Sequence, residues 1–268
     1  MIAVSRLWAL LAVVMVAVPF TRALAQETRP WQRQGTRTGE EITGPDGGKM
    51  VWVPAGEFTM GADDAGAHEK PAHRVRITRG FWLGKCEVTV AQWKRYCQAA
   101  GVSLKVNIVA PTEEHPMMGV SFGDITEYCR FYGLTVPTEA QWEYAARGAA
   151  GKQYPWGNAW DASKCCNNDN AGPTAATFPV GTFPQGASWC GALDMAGNLA
   201  EWCADWYAPD YYARSPQDDP TGPATGAERV ERGGYCLGDA QECRSAYRFS
   251  DDPNNRDGAG GLRACWTP

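Results

Sequence analysis

Residues 232–248 read RGGYCLGDAQECRSAYR, and this stretch decides the fold. It contains a pair of glycines, three arginines, and two cysteines seven positions apart, Cys236 and Cys243. Paired glycines let the backbone adopt conformations closed to other residues and let neighbouring chain approach closely. A polar run follows, and the chain then continues as GLRAC at residues 261–265. The two cysteines are open to three interpretations: a disulfide, a metal-binding pair, or two separate structural thiols.

The other cysteines bear on this choice. The chain has ten, at positions 86, 97, 129, 165, 166, 190, 203, 236, 243 and 265. An even number in an exported chain favours disulfides, although the sequence does not give their connectivity. No CxxC pair and no Cys/His cluster with zinc spacing is present.

The N-terminus predicts export. Arg6 precedes an apolar run over residues 7–20, and Ala23-Leu24-Ala25 forms a small-residue cleavage site. We therefore expect residues 1–25 to be a secretory signal peptide and the mature protein to be periplasmic or secreted, with a retained N-terminal anchor as the alternative. No later stretch reaches the roughly 18 apolar residues of a spanning helix, so no membrane span is expected after signal removal.

Composition narrows the class of protein. The 268 residues carry a formal net charge of −5, which does not suggest a nucleic-acid-binding surface. Thirty glycines, eighteen prolines and twelve tryptophans indicate a compact, turn-rich fold and argue against a helical bundle or a doubly wound sheet. We expect residues 26–48 to be a flexible N-terminal segment and residues 49–268 to form one domain.

Three helices are predicted from their caps. Thr89, Ser121 and Thr138 each stand before apolar residues at helical spacing. Gly133 and Gly148 are the stop signals of the second and third helix.

Short strands are predicted before the first helix. Two β-type runs meet at the turn Pro54-Ala55-Gly56, and a second strand pair is predicted between residues 73–77 and 81–84. From Tyr154 onward the sequence consists largely of turn residues, so we expect regular structure to fade there. Long loops of this kind need staples such as disulfides, metal ions or buried aromatic side chains.

Six segments in order carry a family resemblance. They are residues 52–61, 69–89, 115–121, 134–148, 194–202 and 232–263. Together they resemble the formylglycine-generating enzyme (sulfatase-modifying factor) domain. The resemblance covers residues 49–268 and implies an α+β, loop-rich, C-type-lectin-like fold. The family also contains iron-dependent enzymes, siderophore-maturation proteins and binding proteins, so the fold alone does not give the function.

The resemblance also implies calcium. One calcium site of the family corresponds to Asp194, Gly197, Leu199 and Glu201, with carboxylate oxygens from the first and last and backbone carbonyls from the other two. Oxygen ligands from a loop are what calcium prefers. The alternative is that the two acidic residues only cap turns and helix ends. A second site falls around Asn167 and Asn168, where the spacing departs from the family pattern.

Copper is the other implied cofactor. The family's oxidases hold Cu(I) between two cysteines in the loop after Arg-Gly-Gly, beside a serine, and soft thiolates suit Cu(I). Cys236 and Cys243 lie in the matching loop. Here Tyr235 stands where the enzymes have serine, and the cysteines are seven apart rather than five. The alternatives are a Cys236–Cys243 disulfide, or separate bridges to Cys190, Cys203 or Cys265.

Three functions follow as expectations. The first is an oxidase that converts a cysteine of an exported sulfatase-type protein or peptide to formylglycine with O₂, with Trp202 and Arg248 lining the cleft. The second is a non-catalytic, C-type-lectin-like binding module that uses residues 235–263. The third is a periplasmic maturation enzyme for a small molecule such as a siderophore.

Overall fold

The computed structural model describes residues 30–103, 111–171, 177–256 and 260–268. The predicted signal peptide lies outside these residues. Within them the α-helices and strands follow in the order β1 Glu41–Thr43, β2 Lys49–Val53, β3 Gly56–Met60, β4 His73–Ile77, β5 Phe81–Gly84, α1 Val90–Ala100, α2 Phe122–Tyr132, α3 Glu139–Arg147, β6 Ala200–Trp206, β7 Arg229–Arg232, β8 Arg248–Asp251, β9 Gly260–Gly261 and β10 Cys265–Trp266. In this part of the chain no helix has the length and apolar character needed to cross a bilayer.

All three helices begin at the residues that the sequence predicts. Thr89, Ser121 and Thr138 are the N-caps of α1, α2 and α3, and each hydroxyl accepts a hydrogen bond from the third residue of its helix. That third residue returns a side-chain bond to the cap, which completes a capping box. Gly133 and Gly148 end α2 and α3 with positive φ, as predicted.

The predicted pairing of residues 73–77 with 81–84 is wrong. Strand β4 pairs with β3, and β5 pairs with β2 and β10, so the two neighbours in sequence belong to different sheets. Burial explains the difference. All four residues of β5 are buried, which suits an interior strand, whereas β3 and β4 are buried only at alternate residues.

The structure has two four-stranded sheets among its described residues, one in the order β1-β2-β5-β10 and a second that the sequence did not predict. Its order is β8-β7-β6-β9, with β6 next to the parallel two-residue strand β9. The described residues between α3 and β6 contain only 3₁₀ turns and loops, so the expected loss of regular secondary structure after Tyr154 is found as far as Leu199. Beyond that point the expectation fails. Strand β6 has seven residues, but its first four are all buried, so it shows no alternation of buried and exposed positions there. Strands β7 to β10 have only two to four residues each, too few for a detectable pattern.

Residues 30–48 are not the flexible segment that was expected. Trp31 is buried and packs edge-on against Trp266, with ring centroids 5.5 Å apart. Residues 41–43 form β1 and pair with β2. Sheet pairing and one buried aromatic side chain hold this polar stretch against the domain.

Candidate functional site: the Arg-Gly-Gly loop and its neighbours

The candidate site begins where strand β7 ends. Residues 233–247, the Arg-Gly-Gly loop, connect β7 to its antiparallel neighbour β8. Gly233 and Gly234 have φ angles of 100° and 78°, in the left-handed region that favours glycine. A Cβ atom on Gly234 would lie 2.9 Å from the Glu242 carbonyl oxygen. The loop can therefore fold back onto its own start because this residue is glycine.

A second loop lies against the first. We call residues 165–170 the cysteine turn, since it opens with the adjacent cysteines Cys165 and Cys166. Asn198 joins the two loops through its backbone: its carbonyl oxygen accepts from the Cys236 amide at 3.0 Å, and its amide donates to the Cys166 carbonyl oxygen at 2.9 Å. Backbone hydrogen bonds thus fix the position of one loop relative to the other.

Each cysteine of the Arg-Gly-Gly loop contacts a cysteine of the cysteine turn. The thiols of Cys243 and Cys165 form one hydrogen-bonded pair, and those of Cys236 and Cys166 form another. The pairs belong to two separate apolar clusters. The expected Cys236–Cys243 disulfide is therefore not the arrangement in the structure.

The alternative bridges to Cys190, Cys203 or Cys265 are not formed either. The Cys190 sulfur lies 3.3 Å from the Ser188 hydroxyl, and Cys190 and Cys203 are buried in the main core. Cys265 is part of β10 and pairs through its backbone with Leu83 of β5. The sequence could not reveal the true partners because residues 165–166 and the Arg-Gly-Gly loop are about 70 positions apart.

The contacts shift the thiol pKa values within each pair in opposite directions. The hydrogen bond with the Cys166 thiol lowers the pKa of Cys236 to about 7. The hydrogen bond with Cys243 likewise lowers the pKa of Cys165. The same contacts, together with burial, raise the pKa values of Cys166 and Cys243. One sulfur of each pair is thus the better candidate thiolate, which is the nucleophile in thiol–disulfide exchange.

Trp202 and Arg248 lie in the interior rather than along a cleft. Trp202 is 1% exposed and packs in a core cluster with Trp52 and Trp82. Arg248 donates to both carboxylate oxygens of Glu139, at 2.6 and 3.0 Å. Both predicted cleft residues therefore stabilise the core.

The arginines around the motif form buried ion pairs that sequence reasoning missed. Arg232 pairs with Glu143, and Arg263 donates to both oxygens of Glu201 at 2.6 and 2.8 Å. These four side chains are at most 1% exposed. Buried charges need such partners. The sequence signal that could have revealed these ion pairs is the presence of five or more arginines near the C-terminal motif of a loop-rich chain.

The surroundings of Asp194 suit a cation. Its carboxylate accepts from the Gly181 amide at 2.6 Å and contacts Glu87. Burial raises the pKa of Asp194, and burial followed by the charge of Asp194 raises the pKa of Glu87. One oxygen of Glu87 is buried without a hydrogen-bond partner among the described residues. Two buried carboxylates in contact need either a shared proton or a cation.

The surroundings of Glu201 do not suit a cation. Arg263 occupies both of its oxygens, and the Trp142 indole donates to one of them at 2.6 Å. Gly197 and Leu199 lie on the turn before β6, with the Gly197 amide bonded to the Gly233 carbonyl. No group of three or more His, Cys, Asp or Glu side chains that could hold a metal ion occurs in the part of the chain that the structure describes. A calcium site that uses both acidic residues stays a prediction.

At the second predicted calcium site, Asn167 and Asn168 form hydrogen bonds within and between the loops. The Asn167 side chain donates to the Ala162 and Cys165 carbonyl oxygens, both at 2.9 Å, and accepts from the Asp169 amide. Asn168 is exposed and bonds to the Arg-Gly-Gly loop through its backbone. Asn167 orders the cysteine turn, and calcium there also stays a prediction.

A polar recess opens beside the Arg-Gly-Gly loop. Its volume is about 320 Å³, at the lower end for ligand sites. The polar side chains that line it are Asp64, Arg147, Gln153, Asn158, Gln241 and Arg244.

The charges of the polar recess are largely balanced. Arg244 donates to both oxygens of Glu69 at 2.7 and 2.8 Å, and Arg147 pairs with Glu143 at 2.8 Å. The Arg147 Nε atom is buried and has no hydrogen-bond partner among the described residues. The recess therefore offers donors without a net positive charge.

Comparison with protein families assigns the chain. Residues 38–268 match the model described as the sulfatase-modifying factor enzyme 1-like domain. The chain belongs to this family. The fold is the α+β, loop-rich fold that the resemblance implied.

Three relatives show the range of this family. The formylglycine-generating enzyme of Streptomyces coelicolor is 32% identical, with 92% of this chain and 95% of that protein covered. The hercynine oxygenase of Mycolicibacterium smegmatis is 28% identical, covering 82% of this chain and 61% of that protein. The structure of PvdO from Pseudomonas aeruginosa superposes with a TM-score of 0.76 and 26% identity, covering 87% of this chain and all of PvdO. Relatives with different names share the fold, so function has to be argued from the site.

Proposed function

We propose that this protein is an exported binding protein of the sulfatase-modifying factor family that recognises a neutral, hydroxyl-rich ligand, such as a carbohydrate, in the polar recess. The observation that carries the proposal is the recess itself, where polar side chains from three separate segments meet beside the Arg-Gly-Gly loop. Recognition through residues 235–263 is the binding function expected from the sequence, and Gln241 and Arg244 belong to that stretch.

Charge balance favours a neutral ligand. Arg244 pairs with Glu69, and Arg147 shares Glu143 with the buried Arg232. The exposed Asp64 supplies the third carboxylate, so these three arginines face three acidic side chains. An anionic ligand would meet a carboxylate without a spare cation. A hydroxyl group can donate to the Asp64 carboxylate and accept from the side-chain amides of Gln153 and Asn158, which line the same recess.

The separation of the two loop cysteines supports binding over copper chemistry. A Cu(I) site built on Cys236 and Cys243 needs both sulfurs on one ion. Here each sulfur contacts a different cysteine, and the two contacts belong to different clusters.

A glycan array followed by calorimetry with soluble hits tests the proposal. The variant Asp64→Ala/Gln153→Ala removes two exposed recess side chains, so its fold should be preserved. We expect it to lose binding at least tenfold, since each lost hydrogen bond contributes about 1 kcal/mol. Asp169→Ala is the matched control, because it removes an exposed carboxylate outside the recess. Equal affinity of both variants, or no glycan bound by the wild type, would overturn the proposal.

A cysteine oxidase of the formylglycine-generating type is the second candidate. The identity to the Streptomyces coelicolor enzyme over 95% of its length favours it. Under this function the substrate would be a cysteine of an exported sulfatase-type protein, and Cys236 and Cys243 would hold copper when reduced.

Copper titration separates the two candidates. The reduced mature protein and the variant Cys236→Ser/Cys243→Ser would each be titrated with Cu(I) against a competing chelator. Peptides that contain a sulfatase-type cysteine would then be incubated with O₂ and each protein. One tight equivalent with peptide oxidation, both lost in the variant, would favour the oxidase. Identical titrations for the two proteins would exclude it.

Calcium is proposed as a structural ion at Asp194. Asp194 and the neighbouring Glu87 supply buried carboxylate oxygens, which calcium prefers. Thermal unfolding with calcium and with a chelator tests this, with Asp194→Asn as the variant. Calcium should raise the Tm of the wild type and leave that of the variant unchanged; equal responses would contradict the site.

A further inference from the structure

We infer that the adjacent cysteines Cys165 and Cys166 form two neighbouring disulfides, with Cys243 and Cys236 respectively, which cross-link the cysteine turn to the Arg-Gly-Gly loop. The inference rests on the proposed export to an oxidising compartment, where disulfides form and persist. It does not depend on the identity of the ligand in the polar recess.

The backbone directs the two adjacent sulfurs to different sides. Cys165 is extended, with φ −152° and ψ 163°, and successive side chains of an extended chain point to opposite faces. On one side Cys165 and Cys243 pack with Ala196, next to Trp156 and Trp160. On the other side Cys166 and Cys236 pack with Ala171, next to Phe178 and Phe183. Each sulfur thus has one cysteine partner within its own cluster.

The loops are held in register without any sulfur bond. The Asn168 amide donates to the Gly238 carbonyl oxygen at 3.1 Å, and the Gly197 amide donates to the Gly233 carbonyl oxygen at 2.7 Å. With the two bonds through Asn198, four backbone hydrogen bonds tie together the cysteine turn, the turn at residues 197–198 and the Arg-Gly-Gly loop. The two cysteines of each pair already interact within one cluster, so the backbone places each sulfur beside the partner that the inference assigns to it.

The arrangement argues against a four-thiolate metal site. Tetrahedral metal binding needs the sulfurs to converge on one point. The two pairs instead belong to separate apolar clusters. Within the described ranges, no cluster of three or more ligating side chains is placed to hold a metal ion.

The chemistry is oxidation by thiol–disulfide exchange. In each pair two S–H bonds break, one S–S bond forms, and two protons and two electrons leave. The oxidant is the disulfide of an exchange protein of the exported compartment, whose S–S bond is reduced to two thiols. Cys236 is the more exposed member of its pair, at 8% against 1% for Cys166, and its pKa is lowered to about 7. It therefore attacks first, and Cys166 resolves the mixed disulfide.

Matched and mismatched double variants test the connectivity. Cys165→Ser/Cys243→Ser and Cys166→Ser/Cys236→Ser each remove one whole pair. The mismatched variants Cys165→Ser/Cys236→Ser and Cys166→Ser/Cys243→Ser each remove one cysteine from each pair, so that neither pair is complete. The proteins would be purified from the periplasm without reductant, denatured in an alkylating agent, and analysed by peptide mass spectrometry.

We expect no alkylation at the four positions of the wild type and none at the remaining pair of either matched variant. Both mismatched variants should be alkylated at each of the two remaining cysteines. A Cys236–Cys243 cross-link, full alkylation of the wild type, or equal alkylation of matched and mismatched variants would overturn the inference. Copper or zinc released from the native wild type on alkylation would overturn it as well.

The wild-type measurement stands even where a variant fails to fold. Fragment spectra of the cross-linked Cys165-Cys166 peptide show which partner each sulfur carries. Failure of ligand binding at the polar recess would leave these spectra unchanged, so the binding proposal and the cross-links succeed or fail separately.

Discussion

At the scale of single residues, the arginines that make the motif recognisable stabilise the interior. Arg232, Arg248 and Arg263 are buried, and each pairs with a buried glutamate. Replacing such a pair with apolar residues can be neutral, but removing one partner leaves an uncompensated charge. Glu139 and Glu143 of α3 therefore hold Arg248 and Arg232, the two residues that flank the Arg-Gly-Gly loop.

Glu143→Ala should be strongly destabilising. Glu143 binds Arg232, Arg147 and the Gly61 amide, all in the interior. We expect the free energy of unfolding to fall by about 3–5 kcal/mol, as for other broken buried pairs. Glu57→Ala, which breaks an exposed pair with Arg74, should cost less than about 1 kcal/mol. Urea midpoints at an unchanged m-value measure both, and similar losses would contradict the argument.

Asp205 gives stability a pH dependence. Burial, followed by the charge of Glu139, raises the pKa of Asp205 from 3.8 to about 8. The unfolded chain releases this proton near pH 4 and the folded chain keeps it until about pH 8. The folded state thus binds more protons between these values, so this contribution makes stability fall as pH rises through the window.

Asp205→Asn should remove this pH dependence. The variant keeps an oxygen that accepts from the Glu139 amide, a bond of 2.8 Å in the wild type, but it cannot titrate. We expect its free energy of unfolding to exceed that of the wild type at pH 8 and to decline less between pH 4 and pH 8. Parallel curves for the two proteins across this range would count against a raised pKa.

At the scale of elements, the sequence predicts what is encoded locally. The caps Thr89, Ser121 and Thr138 mark the starts of all three helices because their hydrogen bonds join residues three apart. Strand partners were predicted less well. Pairing depends on which faces are buried, and β5 joins β2 and β10 from distant parts of the chain. The cysteine partners were missed for the same reason.

Gly197→Ala should separate the cysteine turn from the Arg-Gly-Gly loop. A Cβ atom on Gly197 would lie 1.8 Å from the Cys166 carbonyl oxygen, so the turn would have to move. We expect cross-linking of the four cysteines to fall and thermal stability to drop. Gly191→Ala is the control, because it has a similar positive φ, 83° against 71°, but nothing within 4 Å of its Cβ. Equal effects would show that backbone strain alone is responsible.

At the scale of the whole molecule, loops rather than sheets carry the candidate site. The polar recess joins residues near 64, 147–158 and 241–246, and the cysteine pairs join the turn after residue 165 to the same final loop. Long loops contain few helices and strands, so they need other stabilising interactions such as ion pairs or cross-links. Buried ion pairs and the proposed cross-links supply them, which lets the recess keep one shape.

Reductant should therefore lower the thermal stability of the exported protein. Cys166 and Cys236 are 70 positions apart, and closing a loop of that size contributes about 4 kcal/mol on the chain-entropy model. The second bridge adds less, since it joins segments that are already tied together. For a chain of this size we expect the Tm to fall by about 10 °C.

The measurement is calorimetry with and without a thiol reductant on the wild type and on a variant with serine at all four positions. That variant should respond much less, because it lacks the four cysteines of the proposed bridges and keeps only others, such as the neighbours Cys129 and Cys265. A matched double variant that keeps one bridge should lie close to the wild type, since one bridge closes most of the loop. An equal fall in Tm for the wild type and the fourfold variant would assign the effect to other cysteines. The Arg-Gly-Gly loop would then be held by its backbone hydrogen bonds and the Arg244–Glu69 ion pair, without a cross-link.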